Sequence, residues 1–245
     1  MSRESLAVIV ARGASKRLPR KNLRPLMGVP LVAWSIMAAL ASKASRVVVT
    51  TEDAEIAAIA RQYGADVPFM RPAELAEDYA RSDDILIHAL DATEKDEGKR
   101  YPVVVYIQPT TPFMQPQDID AALEAVALGG AACCFTAREV GEPPWWMFVE
   151  DAKGEARLLM AGSIEGDREH TQKLAKTYFP TGAVWALDSE ALRTQHRMYC
   201  EPLRMAMMDP NRSIDIDDET DWIVAEALAQ RHGFVPYPRG GAANG

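Results

Sequence analysis

The chain has 245 residues, 48% of them hydrophobic and 25% charged, with a formal net charge of −8 at pH 7. This length and composition predict one large globular domain, or a domain with a small insertion, and exclude a disordered chain. The acidic balance argues against a nucleic-acid partner, because a duplex-binding surface normally makes the whole domain basic.

The cysteines and the apolar segments narrow the class of protein further. Three cysteines, without the spacing of a metal site, exclude a disulfide framework and fit a reducing compartment. The apolar run near the start is too short for a signal peptide, and no stretch is long enough to span a bilayer. We therefore expect a cytoplasmic protein without a membrane partner.

In chain order, strand patterns alternate with helix patterns. Residues 6–10 form a continuous, β-branched apolar run, which is typical of a strand covered on both faces. Pro30 suits the first turn of a helix, and Asp53 and Gly64 suit the two ends of the next one. The patterns predict strands at 6–10, 46–50, 102–108, 131–137 and 178–187, and helices at 31–40, 54–63, 82–92, 117–128 and 219–230.

This alternation predicts an α/β fold with a doubly wound, mostly parallel sheet, helices on both faces and ligands at the carboxyl ends of the strands. The rhythm breaks between residues 141 and 177, which we interpret as an insertion into a catalytic domain formed by residues 1–140 and 178–232. Trp145 and Trp146 in the insertion either cover an interface or complete a core. We expect residues 233–245 to form a loose tail.

The loop after the first predicted strand is strongly basic. It reads Ala11-Arg-Gly-Ala-Ser-Lys-Arg-Leu-Pro-Arg-Lys-Asn22, and no Asp or Glu occurs between Ser5 and Thr51. Small residues let the backbone approach an anion while cations attract it, so the loop is expected to bind phosphate or carboxylate groups. It matches neither the P-loop nor the dinucleotide fingerprint. The alternative is a solvated cationic loop.

Two aspartates near the end of the chain form a second candidate group. Asp215 and Asp217 alternate with isoleucines, which predicts a strand end with both carboxylates on one side, able to meet one hard cation such as Mg²⁺. The alternative is an acidic helix start, which explains Asp218, Glu219 and Asp221 without a ligand.

Two further segments are weaker candidates for a binding site when each is judged from its own residues alone. Gln108-Pro-Thr-Thr-Pro112 follows a predicted strand and is either a binding edge or an ordinary proline turn. Arg71-Pro-Ala-Glu-Leu75 contains an arginine that, taken alone, reads as a surface residue. The four histidines show no spacing typical of a catalytic triad or a metal site.

Together, four segments resemble the acylneuraminate cytidylyltransferases, or CMP-sialic acid synthetases, in order and spacing. They are residues 11–22, 71–75, 108–112 and Ser213-Ile-Asp-Ile-Asp217. The resemblance implies a nucleotide-diphospho-sugar transferase fold, CTP and a keto sugar acid as substrates, and Mg²⁺ as cofactor. It also implies a homodimer formed through an inserted subdomain, which residues 141–177 would provide.

The same resemblance implies roles for individual residues. Arg12, Lys16 and Lys21 would bind the triphosphate and, with Asp215 and Asp217 on the metal, would carry the chemistry. Ala11, Gly13 and Ser15 would complete the nucleotide loop, and Asn22, Arg71 and Ser82 would face the cytidine. Gln108, Phe179 and Thr181 would contact the sugar acid.

The chain departs from the family pattern mainly at positions that are expected to contact the sugar acid. This chain reads Phe179-Pro-Thr-Gly182 where the family commonly reads Arg-Pro-Asn-Gly, and Thr171 stands where an arginine for the sugar carboxylate is often found. Arg168 is a candidate to replace that contact. Arg17 replaces a common glycine, which brings the loop toward that of 3-deoxy-manno-octulosonate cytidylyltransferases.

We therefore expect a cytidylyltransferase for a sialic-acid-like nonulosonate, with an octulosonate as the alternative substrate. Two other classes stay open on the residues alone. A metal-dependent glycosyltransferase would use the two late aspartates on its donor metal, and a non-catalytic nucleotide binder would use only the basic loop.

Overall fold

The computed structural model describes residues 4–160 and 174–238. The strands are β1 Ser5–Val10, β2 Pro25–Leu26, β3 Val29–Pro30, β4 Arg46–Thr50, β5 Val103–Ile107, β6 Cys133–Glu139, β7 Phe148–Glu150, β8 Ala156–Leu158, β9 Tyr178–Asp188 and β10 Leu203–Met207. The helices are α1 Leu31–Leu40, α2 Ala54–Gln62, α3 Ser82–Glu97, α4 Pro116–Ala127, α5 Ser189–Gln195 and α6 Glu219–His232. None of the helices in these ranges has the length and apolar character needed to cross a bilayer.

The central sheet has six strands in the order β10-β6-β9-β5-β1-β4. β1 runs parallel to both β4 and β5, and β6 runs parallel to β10. β9 is antiparallel to its two neighbours, β5 and β6. The predicted fold class is confirmed: the sheet is mostly parallel, and its antiparallel strand lies inside the sheet rather than at an edge.

Helices cover both faces of the sheet. Because side chains alternate along a strand, each buried strand supplies both cores. One core contains Ile36, Ile56 and Ile119 from α1, α2 and α4. The other contains Leu90 from α3 and Leu192 from α5. The continuous apolar strands seen in the sequence follow from this double cover.

The register of the strands places their carboxyl ends at one edge. Ile9 of β1 lies opposite Val49 of β4 and Ile107 of β5. The loops that follow these three strands therefore leave the sheet side by side. α6 packs next to this edge through Trp222, which lies in a core cluster with Trp34 and Phe113.

Several elements differ from the sequence expectation. α3 continues to Glu97, five residues beyond the predicted end. The patterns missed α5 and the edge strand β10, which are short, and the edge strand is partly exposed. The predicted strand end at Asp215 and Asp217 is wrong: this segment belongs to no strand, and Ile216 N donates a single backbone hydrogen bond to Thr110 O (2.8 Å).

Part of the predicted insertion forms a hairpin of its own. β7 and β8 pair with each other as a separate two-stranded sheet. Trp145 and Trp146, just before it, are half-buried. Residues 161–173, which include Arg168 and Thr171, lie outside the described residues. In the predicted tail, the Phe234 ring lies against that of Phe113, with 4.8 Å between ring centroids.

Candidate active site

A cleft of about 360 Å³ opens at the carboxyl edge of β1 and β5. This is the position that the fold class predicts for a ligand. Nine of the predicted site residues line it: Arg12, Ser15, Lys21, Asn22, Arg71, Ser82, Gln108, Asp215 and Asp217. The tertiary structure thus brings together four segments that are far apart in the sequence.

The start of the basic loop is fixed against the end of β4. Ala11 is fully buried and its N–H donates to Thr50 O (3.2 Å). Gly13 N donates to Glu52 Oε1 (2.7 Å), and a Cβ on Gly13 would lie 2.4 Å from Asp53 Oδ2. A side chain at position 13 would therefore displace the loop, which explains the glycine.

One end of the cleft holds two buried polar groups that lack a partner. Arg71 is 4% exposed; its guanidinium binds Glu52 and Ala11 O, while its Nε has no partner within the described ranges. Asn22 Nδ2 donates to Arg12 O (2.8 Å), and Asn22 Oδ1 is likewise buried without a partner there. Such groups are costly unless satisfied, and because both residues line the cleft, a polar ligand that meets Asn22 Oδ1 and Arg71 Nε after a small side-chain movement would satisfy them.

The cations predicted for a triphosphate lie at the rim of the cleft. Arg12 Nη1 lies 2.7 Å from Asp78 Oδ1, and Lys16, whose side chain is 82% exposed, pairs with the same carboxylate. Hydrogen bonds from Lys16 and Arg12 hold the pKa of Asp78 below its ordinary value. The loop is therefore not the open positive surface that the sequence implied, since an anion must compete with Asp78.

The opposite end of the cleft carries the two aspartates. Lys21 is buried and its Nζ donates to Ile216 O (2.6 Å) and to Asp217 Oδ1 (3.2 Å), while Arg17 Nη2 donates to Asp217 Oδ2 (2.6 Å). Burial alone would raise the pKa of Asp217, but the Lys21 and Arg17 hydrogen bonds outweigh it and the pKa is lowered. Asp217 is therefore an ionised carboxylate.

Asp215 has the opposite character. Burial raises its pKa above the ordinary value; a hydrogen bond with Thr110 opposes this, and the charge of Asp217 adds to it. The Asp215 side chain is nonetheless exposed in the cleft, so a cation bound there can reach the carboxylate and stabilise its charge. Two adjacent carboxylates, of which one is charge-paired and one is not, are a donor set that suits a hard divalent cation.

The acidic helix start predicted next to these residues is confirmed as a separate feature. Asp218 accepts hydrogen bonds from the N–H groups of Thr220 (2.8 Å) and Asp221 (3.1 Å) at the start of α6. Arg24, two residues after the basic loop, donates two hydrogen bonds to the Glu219 carboxylate (2.6 and 2.8 Å). These contacts hold α6 and the basic loop together and so position Asp215 and Asp217.

A second cleft, of about 350 Å³, adjoins the first at Asp215, which lines both. Phe179, Thr181 and Arg138 line this second cleft. Thr181 is only 3% exposed and its hydroxyl lies 2.7 Å from that of Thr136, so most of its side chain faces the interior.

An irregularity in β9 brings its backbone to the junction of the two clefts. Phe135 pairs with Trp185, but two residues later Ala137 pairs with Pro180. Gly182 lies within this extra length and has a φ of +76°. A Cβ there would lie 3.1 Å from Asp215 Oδ2 and 3.2 Å from Gln108 Oε1.

Sequence reasoning missed several residues of the site. Tyr106 lines the first cleft, accepts a hydrogen bond from Gln108 Nε2 (3.3 Å) and lies 3.5 Å from Ser82 Oγ. In the sequence, Tyr106 could have been noticed as a single tyrosine that follows three valines in β5. Glu52 and Asp78 gave no signal, because only the fold brings them to the basic loop.

One acidic cluster lies outside the first cleft. His196 Nδ1 lies 3.1 Å from Asp83 Oδ2, and His196 Nε2 lies 3.5 Å from Asp84 Oδ1. Arg81 also binds Asp83, through Nε (3.0 Å) and Nη2 (2.7 Å). These contacts tie the end of α5 to the start of α3.

Comparison with known proteins agrees with this geometry. Residues 6–178 match the family model described as cytidylyltransferase. The chain is 33% identical over 229 residues to CMP-N,N'-diacetyllegionaminic acid synthase of Legionella pneumophila, covering 92% of this chain and 96% of the relative. It is 31% identical over 234 residues to N-acylneuraminate cytidylyltransferase of Escherichia coli, covering 94% of this chain and 53% of the relative.

A solved structure shares the fold at lower sequence identity. It is CMP:2-keto-3-deoxy-manno-octonic acid synthetase complexed with CTP, with a TM-score of 0.66 and 17% identity, covering 94% of this chain and 99% of that one. The family model and the two relatives confirm the resemblance stated from the four sequence segments. From the matched family model and the similarity along almost its whole length, the chain belongs to the cytidylyltransferase family.

Proposed function

We propose that this enzyme transfers the cytidylyl group of CTP to the anomeric hydroxyl of a nonulosonic acid and releases pyrophosphate. One observation carries the proposal: a single cleft has unpaired, buried hydrogen-bonding groups of Asn22 and Arg71 at one end and the carboxylates of Asp215 and Asp217 at the other. The names of both relatives, a legionaminic acid synthase and an N-acylneuraminate cytidylyltransferase, support this class of acceptor.

The unpaired groups match the edge of cytosine. Cytosine offers an amino donor at N4 and acceptors at N3 and O2. Asn22 Oδ1 would accept from the amino group, and Arg71 Nε would donate to the ring, with Ser82 close by. Uracil presents an oxygen where cytosine has its amino group, so Asn22 Oδ1 would face another acceptor. The cleft should therefore select CTP over UTP.

The phosphates would lie between the basic loop and the aspartates. Arg12 and Lys16 would exchange Asp78 for phosphate oxygens, and Lys21 already lies beside Asp217. Ala11 and Gly13 donate their N–H groups to Thr50 and Glu52 and would hold the shape of the loop, while Ser15 lines the cleft and would contact the phosphates. These groups would offset charge on the leaving pyrophosphate, which is how phosphoryl-transfer sites lower the barrier.

Asp215 and Asp217 would hold Mg²⁺. The fit rests on their oxygen donors and on the Asp215 carboxylate, which is exposed in the cleft and whose pKa is raised by desolvation and by the charge of Asp217. When bound, Mg²⁺ supplies charge neutralisation at phosphate oxygens and lowers the pKa of a hydroxyl group. Arg17 must then share Asp217 with the cation, and Lys21 keeps the backbone at Ile216 in place.

The sugar acid would enter from the second cleft, next to Gln108 and Phe179. Its hydroxyl oxygen would form a bond to the α-phosphorus as the bond from that phosphorus to the bridging oxygen breaks, and the hydroxyl proton would be released to solvent. An octulosonate remains the alternative acceptor. The likeness to the octonic acid synthetase structure does not favour it, since at 17% identity it concerns the fold alone.

Pairing of two copies through residues 141–177 is part of the proposal. The β7–β8 hairpin and the residue before it expose apolar side chains, with Phe148 at 57% and Met147 at 44% exposure. Analytical ultracentrifugation should give a dimer for the wild type and a shift toward monomer for Phe148→Glu. A monomeric wild type would remove this part of the proposal.

The test of the reaction is pyrophosphate release from CTP and Mg²⁺ with a panel of N,N'-diacetyllegionaminic acid, N-acetylneuraminic acid and 3-deoxy-manno-octulosonic acid. We expect turnover with a nonulosonic acid. Asp217→Asn should lose it while remaining folded, whereas Asp66→Asn, which removes an exposed carboxylate paired with Arg46, should retain it. Release of nucleoside diphosphate from an added nucleoside-diphosphate sugar, without pyrophosphate from CTP, would identify a glycosyltransferase, and CTP binding without turnover on any acid would identify a nucleotide binder.

A further inference from the structure

The second cleft contains a cation that no described group neutralises. Arg138 is half-buried and lines this cleft together with Asp215. Among residues 4–160 and 174–238 it has no carboxylate within ion-pair distance. Its neighbour Glu139 is engaged by Lys176 (2.9 Å) and does not compensate it. A half-buried guanidinium that has no carboxylate partner in the described ranges can bind an anion favourably.

The backbone and an aromatic ring fix the position of Arg138. It lies directly opposite Phe179 in the antiparallel pairing of β6 with β9, so both side chains stand on the same face of the sheet. The guanidinium carbon is 5.8 Å from the centre of the Phe179 ring, within the range of a cation–π contact. Such a contact leaves the N–H groups along the edge of the guanidinium free to bind a planar anion in two places.

The chemistry of the proposed acceptor fits this arrangement. In a 2-keto sugar acid the carboxylate is attached to the same carbon as the anomeric hydroxyl. A group that holds the carboxylate therefore also places the attacking oxygen. Because Asp215 lines both clefts, an acid bound in the second cleft has its reactive carbon next to the place where the α-phosphate would lie.

Resting on the proposed function, we propose that Arg138 binds the carboxylate of the sugar acid and orients its anomeric hydroxyl toward the nucleotide cleft. Phe179 contributes an apolar surface beside it, and Asp215 lies on the far side of the acid. The contact expected from the sequence for Arg168 is thereby assigned to a residue on β6. Gln108 remains a contact on the nucleotide side of the acid.

The test compares four variants: Arg138→Gln, Arg138→Lys, Arg168→Gln and Arg204→Gln. Arg204 is the matched control, because it is an exposed arginine on the neighbouring strand β10 and lines neither cleft. Loss of a charged hydrogen bond should raise KM for the best sugar acid of the panel about 10- to 100-fold in Arg138→Gln. KM for CTP and the melting temperature should stay at the wild-type values, Arg138→Lys should recover part of the loss, and Arg204→Gln should behave as wild type.

A substrate analogue makes the assignment specific to the carboxylate. With the sugar carboxamide in place of the acid, wild type should lose as much as Arg138→Gln, and the two changes together should cost no more than either alone. Independent losses would overturn the proposal, as would a loss confined to Arg168→Gln. If wild type binds CTP by calorimetry but neither binds nor converts any acid of the panel, the proposed function fails together with this assignment; if it converts one and Arg138→Gln is normal, this assignment alone fails.

Discussion

Replacing Gly182 with alanine should damage catalysis more than its cost in stability explains. Gly182 has a φ of +76°, where an L side chain is strained by roughly 1–2 kcal/mol. For a domain of this size, that strain corresponds to a melting temperature about 2–8 °C lower. The new methyl group would also lie 3.1 Å from Asp215 Oδ2 and 3.2 Å from Gln108 Oε1.

Those two contacts are closer than ordinary van der Waals distance, so the carboxylate and the amide must move by a few tenths of an ångström. Misplacement of a reacting group by about 1 Å can cost 100-fold, so we expect kcat to fall about tenfold in Gly182→Ala. Pyrophosphate release and differential scanning fluorimetry measure the two effects separately.

Gly98→Ala is the control for backbone strain. Gly98 ends α3 with a φ of +63°, and a Cβ there meets nothing within 4 Å. It should lose comparable stability and keep full kcat. The reasoning is refuted if Gly182→Ala and Gly98→Ala lower kcat equally, or if Gly182→Ala retains wild-type kcat despite its lower melting temperature.

Three further predictions concern charged and polar side chains of the cleft. Asp215→Asn should abolish turnover, yet without metal it should raise the melting temperature at neutral pH. Desolvation raises the pKa of Asp215 in the folded protein, so above that pKa the ionised carboxylate lowers the stability of the wild type. The difference in melting temperature should shrink as the pH falls toward the pKa of an aspartate in the unfolded chain, about 3.9. A lower melting temperature at neutral pH would contradict this. Asp78→Asn should bind CTP about two- to fivefold more tightly by calorimetry at low salt, because Arg12 and Lys16 no longer have to leave an exposed carboxylate; unchanged affinity would mean that these cations do not meet the nucleotide. Asn22→Ala should reduce the preference for CTP over UTP in kcat/KM by about tenfold or more, and an unaltered preference would exclude Asn22 from base recognition.

Much of the main domain could be predicted because its signals are local. β-branched runs buried on both faces identified the strands, and Asp53 caps α2 through the N–H groups of Glu55 and Ile56 as expected. The sequence patterns did not predict α5 and β10, because these elements have too few helical turns or strand alternations to be recognised. β10 is also a partly exposed edge strand. The alternation of Asp215 and Asp217 with isoleucines resembled a strand, but the segment is held by single contacts from Thr110 and Lys21 instead.

By itself the sequence determined the class of fold, the basic loop and the acidic pair, because residue type, period and position relative to a strand are properties of the chain read in one dimension. Only the tertiary structure decided how those charges are balanced. Asp78 reaches Arg12 across 66 positions and Arg17 reaches Asp217 across 200. Such pairs depend on which loops leave one edge of the sheet together, and Coulomb energy depends on distance in space. For the same reason, no pattern in the sequence indicated that Arg138 and Asp215 line one cleft.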